Sequence, residues 1–103
     1  MSMELTAEAR KRLRSLGRTL SPAVQVGKSG LTEAVVRQVA RAMAGRDLVK
    51  IKALDTCPDG VEDVAARLAV DLDAAVVATT GRTALLYRPN PDLPPEKRSL
   101  PPT

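Results

Sequence analysis

The sequence predicts an α/β (α+β) domain in which one four-stranded mixed sheet packs against helices, in the order α-β-α-β-α-β-β. Three observations lead there. Segments with apolar residues at helical spacing alternate with short runs rich in Val, Ile and Leu. Glycine and proline sit at the junctions between them. A chain of 103 residues, 44% of them hydrophobic, can build one core and no more. With no Trp, no Phe and Tyr87 as the single aromatic residue, that core must come from Ala, Val, Leu and Ile.

The elements follow in order. Thr6 can cap a first helix, with Glu8 in its first turn where the helix dipole favours negative charge. Leu5, Ala9, Leu13, Leu16 and Leu20 recur at helical spacing and Gly17 stands near the end, so the helix is expected over about 6–18. Ser21-Pro22 breaks it, and Ala23-Val24-Gln25-Val26 reads as a short strand cut off by Gly27. The second helix starts at Thr32 as cap, with Leu31 and Val36 placed as a hydrophobic staple. Val35, Val36, Val39, Ala40 and Met43 are its stripe, and Gly45 its expected C-cap. Leu48 to Leu54 alternates in part, which puts Lys50 and Lys52 on one face of a strand. Pro58, Asp59, Glu62 and Asp63 suit the first turns of a third helix over about 58–71, with Val61, Val64, Ala65 and Leu68 as its stripe. Ala75–Thr79 and Ala84–Arg88 read as a hairpin joined through Thr80-Gly81-Arg82-Thr83. Residues 90–103 are crowded with proline and poor in apolar side chains, so they are expected to be an extended or disordered tail.

Charge and chemistry narrow the function. Residues 1–52 hold eleven basic and four acidic side chains, whereas residues 53–103 hold five and eight. A basic half suits a polyanionic partner, and equally a solvated, solubilising surface. Catalysis has little to work with. The chain has no histidine, and Cys57 is single, so neither a triad nor a disulfide can be assembled from it. Asp59, Glu62 and Asp63 are placed as dipole-compensating residues at a helix start, and no spacing suits a metal. The reading is therefore not an enzyme, with no cofactor, no metal and no small-molecule substrate. Met1–Arg14 lacks the apolar stretch of a signal peptide, and no run approaches the ~20 apolar residues of a membrane span. A cytoplasmic, reducing location and no membrane partner are the expectation.

Gly27-Lys28-Ser29 matches the end of the phosphate-binding pattern GxxxxGK[ST], but the first glycine of that pattern falls at Pro22. What remains is a four-residue loop, Gly27-Lys28-Ser29-Gly30, between a strand and a helix. Glycines at both ends allow positive φ and close approach of a ligand's backbone. The helix that follows offers free N–H groups that favour phosphate, and Lys28 adds a charge and Ser29 a hydroxyl, neither of which reads base identity in contacting phosphate. Arg37, Arg41, Lys50 and Lys52 are expected to extend the basic track. Position separates this loop from that of a KH domain, which lies between two helices. The near absence of aromatic residues removes the base stacking of RRM and OB folds.

The run from Leu20 through Val36, containing Val26-Gly27-Lys28-Ser29-Gly30-Leu31, closely resembles the signature of the CRM domain (chloroplast RNA splicing and ribosome maturation) in its single-domain bacterial, YhbY-like form. Leu5-Thr6 with the basic Arg10–Arg14 helix, Asp47–Lys52, and Gly81–Arg88 support it, so that residues 4–89 form the expected domain. The resemblance implies a fold similar to the C-terminal domain of translation initiation factor 3. It also implies RNA binding through the Gly27–Gly30 loop and association with large-subunit ribosomal RNA or its precursor particle; the reading is a monomeric RNA chaperone or assembly factor acting there. Lys50 and Lys52 match the family's basic strand. Family members often carry histidine after the first helix and near the end of the second, where this sequence keeps positive charge with Arg18 and Arg46. The alternative is a protein–protein adaptor whose basic face meets an acidic partner.

Overall fold

The computed structural model describes residues 5–100. Helix α1 spans Ala7–Gly17, strand β1 Val24–Val26, helix α2 Glu33–Gly45, strand β2 Leu48–Ala53, helix α3 Val61–Leu72, strand β3 Ala75–Thr80 and strand β4 Thr83–Tyr87. The expected order of elements is the observed one, and the four strands form a single mixed sheet in the order β1-β2-β4-β3. β1 runs parallel to β2, with Val26 opposite Ala53, and the other pairs are antiparallel. Leu5 is the first described residue, so the start of the expected domain at residue 4 lies outside the described residues.

Two helix starts form as the sequence dictates. Thr6 Oγ1 accepts from Ala9 N at 3.0 Å, and Thr32 Oγ1 accepts from Val35 N at 3.3 Å. Two boundaries depart from expectation. α3 begins at Val61 with Gly60 as its N-cap, because Pro58 and Asp59 belong to the loop that packs against Gly30. Gly45 is the last residue of α2 rather than its cap; Arg46 leaves the helix in an extended conformation.

Strand alternation divides the core in two. Val49, Ile51 and Ala53 of β2 face α2 and α3, together with Val24, Val26, Ala84 and Leu86. The alternate residues face α1: Leu13, wholly buried, packs with Leu48, Val77, Leu85 and Tyr87. α1 approaches β4 closely because Gly17 has no side chain; a Cβ there would lie 2.7 Å from Leu85 Cδ2. The Arg10 guanidinium donates to the carbonyls of Val76 and Val77 at 2.9 and 2.5 Å, where a register shift in β3 frees them.

The proline-rich tail is the main correction. Residues 90–100 lie against the body as a strap rather than apart from it. Asn90 Nδ2 donates to the carbonyls of Met43 and Ala44, which closes the end of α2 in place of the expected glycine cap. Leu93 is buried, and Arg98 donates back to the carbonyls of Leu93 and Pro91. Ser99 donates through both its N–H and its hydroxyl to the carboxylate of Asp47, which is only 3% exposed. Arg12 Nε donates to Ser99 O at 2.9 Å, and Leu100 packs beside the Leu13 cluster. Average composition hid these few anchors. The prolines lower the entropy lost on docking, since they restrict the chain before it binds. Residues 101–103 of the expected tail lie outside the described residues.

Two outcomes follow. Truncation after Pro89 removes Leu93 and every partner of the Asp47 carboxylate named here, and it is expected to lower Tm by about 5 °C or more in circular dichroism melts. An unchanged Tm would show that the strap does not hold. Tyr87, the only tyrosine, has its phenol pKa raised above 10.0, first by burial and then by the charge of Asp47, with Arg98 acting in the opposite direction. The fold therefore favours the neutral phenol, and this contribution is complete below the unfolded value and lost as pH rises through the folded one. A phenolate absorbance titration should give a higher midpoint for native than for urea-unfolded protein, and coincident midpoints would contradict it.

Candidate nucleic-acid interface

The Gly27–Gly30 loop is a tight turn held from behind. β1 ends at Val26, whose carbonyl still accepts from Leu54 N at 2.9 Å, so strand and loop stay tied to the end of β2. Gly30 N then donates to Gly27 O at 3.0 Å and closes the turn. Lys28 and Ser29 form its exposed tip. Leu31 returns to the core edge, and Thr32 starts α2. The tip is thus fixed on both sides by the sheet and the helix cap, which reduces the ordering cost of binding.

The two glycines have different reasons. Gly30 is buried with φ +70°, and a Cβ there would meet Pro58 Cγ at 3.3 Å and Asp59 Oδ2 at 3.4 Å. Gly27 does not have positive φ, contrary to the expectation for both ends, and its nearest neighbour would be Leu54 Cδ1 at 3.9 Å. Gly30 fixes the backbone, whereas Gly27 keeps the surface beside Lys28 low. The carboxylate of Asp59 lies behind Gly30, so an anion meets less repulsion at the Lys28–Ser29 side.

The other expected site residues do not form one track. Arg37 and Arg41 are exposed on α2. Arg37 stands 3.9 Å from Glu33 one turn earlier, a pair so exposed that it leaves the guanidinium available. Lys50 and Lys52 lie on the opposite face of the sheet, on the side of α1, because they alternate with Val49, Ile51 and Ala53. There Lys50 lines a cleft with Arg14 of α1 and its C-cap Arg18, basic residues that the sequence singled out for charge but not as part of the site. Their four-residue spacing beside Leu13 and Gly17 was a usable signal for a shared helix face. Among the described residues no group of His, Cys, Asp and Glu could hold a metal ion, and no helix is long and apolar enough to cross a membrane.

A four-stranded mixed sheet layered between helices, with an exposed lysine turn leading into a helix, defines a small α/β domain of a type built to present a loop. The chain belongs to the CRS1/YhbY (CRM) domain family, whose model matches residues 5–88. It is 36% identical over 84 residues to "Probable RNA-binding protein YqeI" of Bacillus subtilis, covering 82% of this chain and 88% of that one. It is 34% identical over 89 residues to a "Probable RNA-binding protein" of Pseudomonas aeruginosa, covering 86% of each. The solution structure of a hypothetical Staphylococcus aureus protein, SAV1595, described as a candidate RNA-binding protein, has the same fold. Its TM-score is 0.74 at 27% identity, with 86% of this chain and 93% of that chain covered.

The difference between the two glycines can be measured. Gly30→Ala forces a side chain into a left-handed conformation and against Pro58, and should cost about 1–2 kcal/mol in denaturant unfolding. Gly27→Ala should cost less than about 0.5 kcal/mol. Equal losses would mean that both positions are strained.

Proposed function

We propose that the protein binds RNA through its sugar–phosphate backbone, with the Lys28–Ser29 tip of the Gly27–Gly30 turn as the primary contact. The observation that carries this reading is a rigidly held tip that offers a cation and a hydroxyl at the entrance of α2, on a chain whose first 52 residues hold eleven basic side chains. The names of the Bacillus and Pseudomonas relatives agree with it. Gly30 N–H is used within the turn, so the donors left for phosphate are the Lys28 ammonium, the Ser29 hydroxyl and the first amides of the turn and helix. Arg37 and Arg41 stand along the helix that starts there, and Lys52 is two residues beyond Lys50 toward the same end of the sheet. With phosphate as the partner of these groups and no exposed aromatic ring to stack on a base, shape and charge select the RNA.

We further propose that the RNA is a large-subunit ribosomal RNA precursor, that the protein works in the cytoplasm as a monomer, and that it assists assembly without a chemical step. Crosslinking in cells followed by sequencing of the bound RNA tests the target. If association with pre-ribosomal particles survives RNase, the contact is to protein and the RNA reading fails.

Lys28→Ala removes one charge and no backbone constraint. It should weaken binding to single-stranded RNA by about 1 kcal/mol and flatten the slope of log affinity against log salt by roughly 0.7, with folding intact. With four phosphates neutralised, the wild-type slope should be roughly −3. Unchanged affinity in a folded Lys28→Ala variant would remove the tip from the interface.

A further inference from the structure

The side of the sheet that carries α1 is only half covered. α1 packs across β2 and β3 and ends at Gly17, and Lys50 and Lys52, toward the C-terminal end of β2, are half-buried. Register places Gln25, Lys52, Thr83 and Thr80 in one row across the four strands, next to a row of Lys50, Leu85 and Ala78. The last turns of α1 form a wall over these rows. Arg14 and Arg18 share one side of the helix and, with Lys50, Thr80 and Thr83, line a cleft of about 370 Å³ floored by Leu85 and Ala78.

The charge balance of this cleft is unusual within the molecule. Three cations line it and no carboxylate does. Among the described residues the ion pairs are Arg37–Glu33 and Arg82–Asp55, so none of the three is paired. Neighbouring arginines of the same helix are differently employed: Arg10 holds the carbonyls of β3, and Arg12 holds Ser99. The groove beneath the strap, also basic, contains Asp47 and Glu96 among its cations. Three like charges facing one apolar-floored cleft repel each other, and a bound anion reverses the sign of that term.

We propose that this cleft binds a phosphate of the RNA backbone, as a second contact separate from the Lys28–Ser29 tip. The proposal rests on the RNA-binding reading above. The cleft runs from Lys50 on β2 across β4 to Thr80 on β3, so it lies one to three interstrand spacings, about 5 to 14 Å, from the strand that leads into the loop. The row from Gln25 through Lys52 and Thr83 to Thr80 connects the two places. Every side chain in it is polar or charged. Tyr87, the only aromatic residue, is buried under α1 and cannot stack on a base. An RNA strand therefore crosses as backbone, its bases turned outward and its 2′-hydroxyls within reach of amide and hydroxyl groups.

The test uses the full chain and a short oligouridine RNA. The double variant Arg14→Gln/Arg18→Gln is compared with Lys11→Gln/Arg67→Gln, which loses the same charge from exposed positions outside the cleft. The cleft variant is expected to lose affinity roughly tenfold and to flatten the salt slope by about 0.7, while the comparator loses less than about twofold. Circular dichroism melts of both should match wild type. As an independent readout on unaltered protein, RNA should shift the amide resonances of Ala78, Thr80, Thr83 and Leu85. Equal losses in the two double variants, or a cleft variant with wild-type affinity and slope, would overturn the cleft. If Lys28→Ala weakens binding while the cleft variant does not, the tip stands and the cleft alone falls; if wild type shows no salt-dependent RNA binding, both fall.

Discussion

The parallel pairing of β1 with β2 is the constraint on which the rest depends. Parallel neighbours cannot be joined by a hairpin, so the chain must leave the end of β1, cross over through α2 and return to the start of β2. This puts the Gly27–Gly30 turn and the loop after β2 at the same end of the sheet, where Pro58 and Asp59 support Gly30. It also places β2 inside the sheet with both faces in use. Val49 and Ile51 anchor one core and Leu48 the other, which forces Lys50 and Lys52 onto the face that α1 leaves partly open. The position of the loop and the exposure of the lysines follow from one pairing.

Much of this was legible locally. A threonine cap followed by an apolar stripe at helical spacing needs only a few neighbouring residues to be read, and both Thr6 and Thr32 cap as expected. Boundaries set by distant partners were not legible. α3 starts later than its acidic first turn suggested because Pro58 is held against a glycine 28 positions earlier in the chain. The glycines of the loop read alike, and only the packing of Gly30 distinguishes them. The tail shows the same limit: proline content describes a chain's stiffness, whereas Asn90, Leu93 and Ser99 each find a partner that composition does not register.

Counting charge likewise treated the arginines of α1 as one group. In the structure they divide by what each one meets. Arg10 closes open carbonyls of the sheet and Arg12 holds the strap, so both belong to the fold. Arg14 and Arg18, one turn further on, line a cleft with Lys50 and form no ion pair among the described residues. A net charge can therefore be divided only after each side chain's neighbours are known. The same holds for Arg37 and Lys50, which the sequence placed in one track and the sheet places on opposite sides.

The strap also bears on the order in which the molecule completes itself. The bond from Ser99 to Asp47 spans 52 residues, and the bond from Arg12 to Ser99 spans 87. Such contacts close long loops and form slowly compared with local helix and hairpin contacts. During synthesis α1, the crossover and β2 all exist well before Ser99 does. The buried site of Asp47 must remain hydrated until then, and the C-terminal end of α2 must wait for Asn90 to satisfy its last carbonyls. The strap acts as a late latch: it leaves the early steps of folding to the sheet and helices, and it slows the reverse process by adding bonds that must break before α1 can lift away.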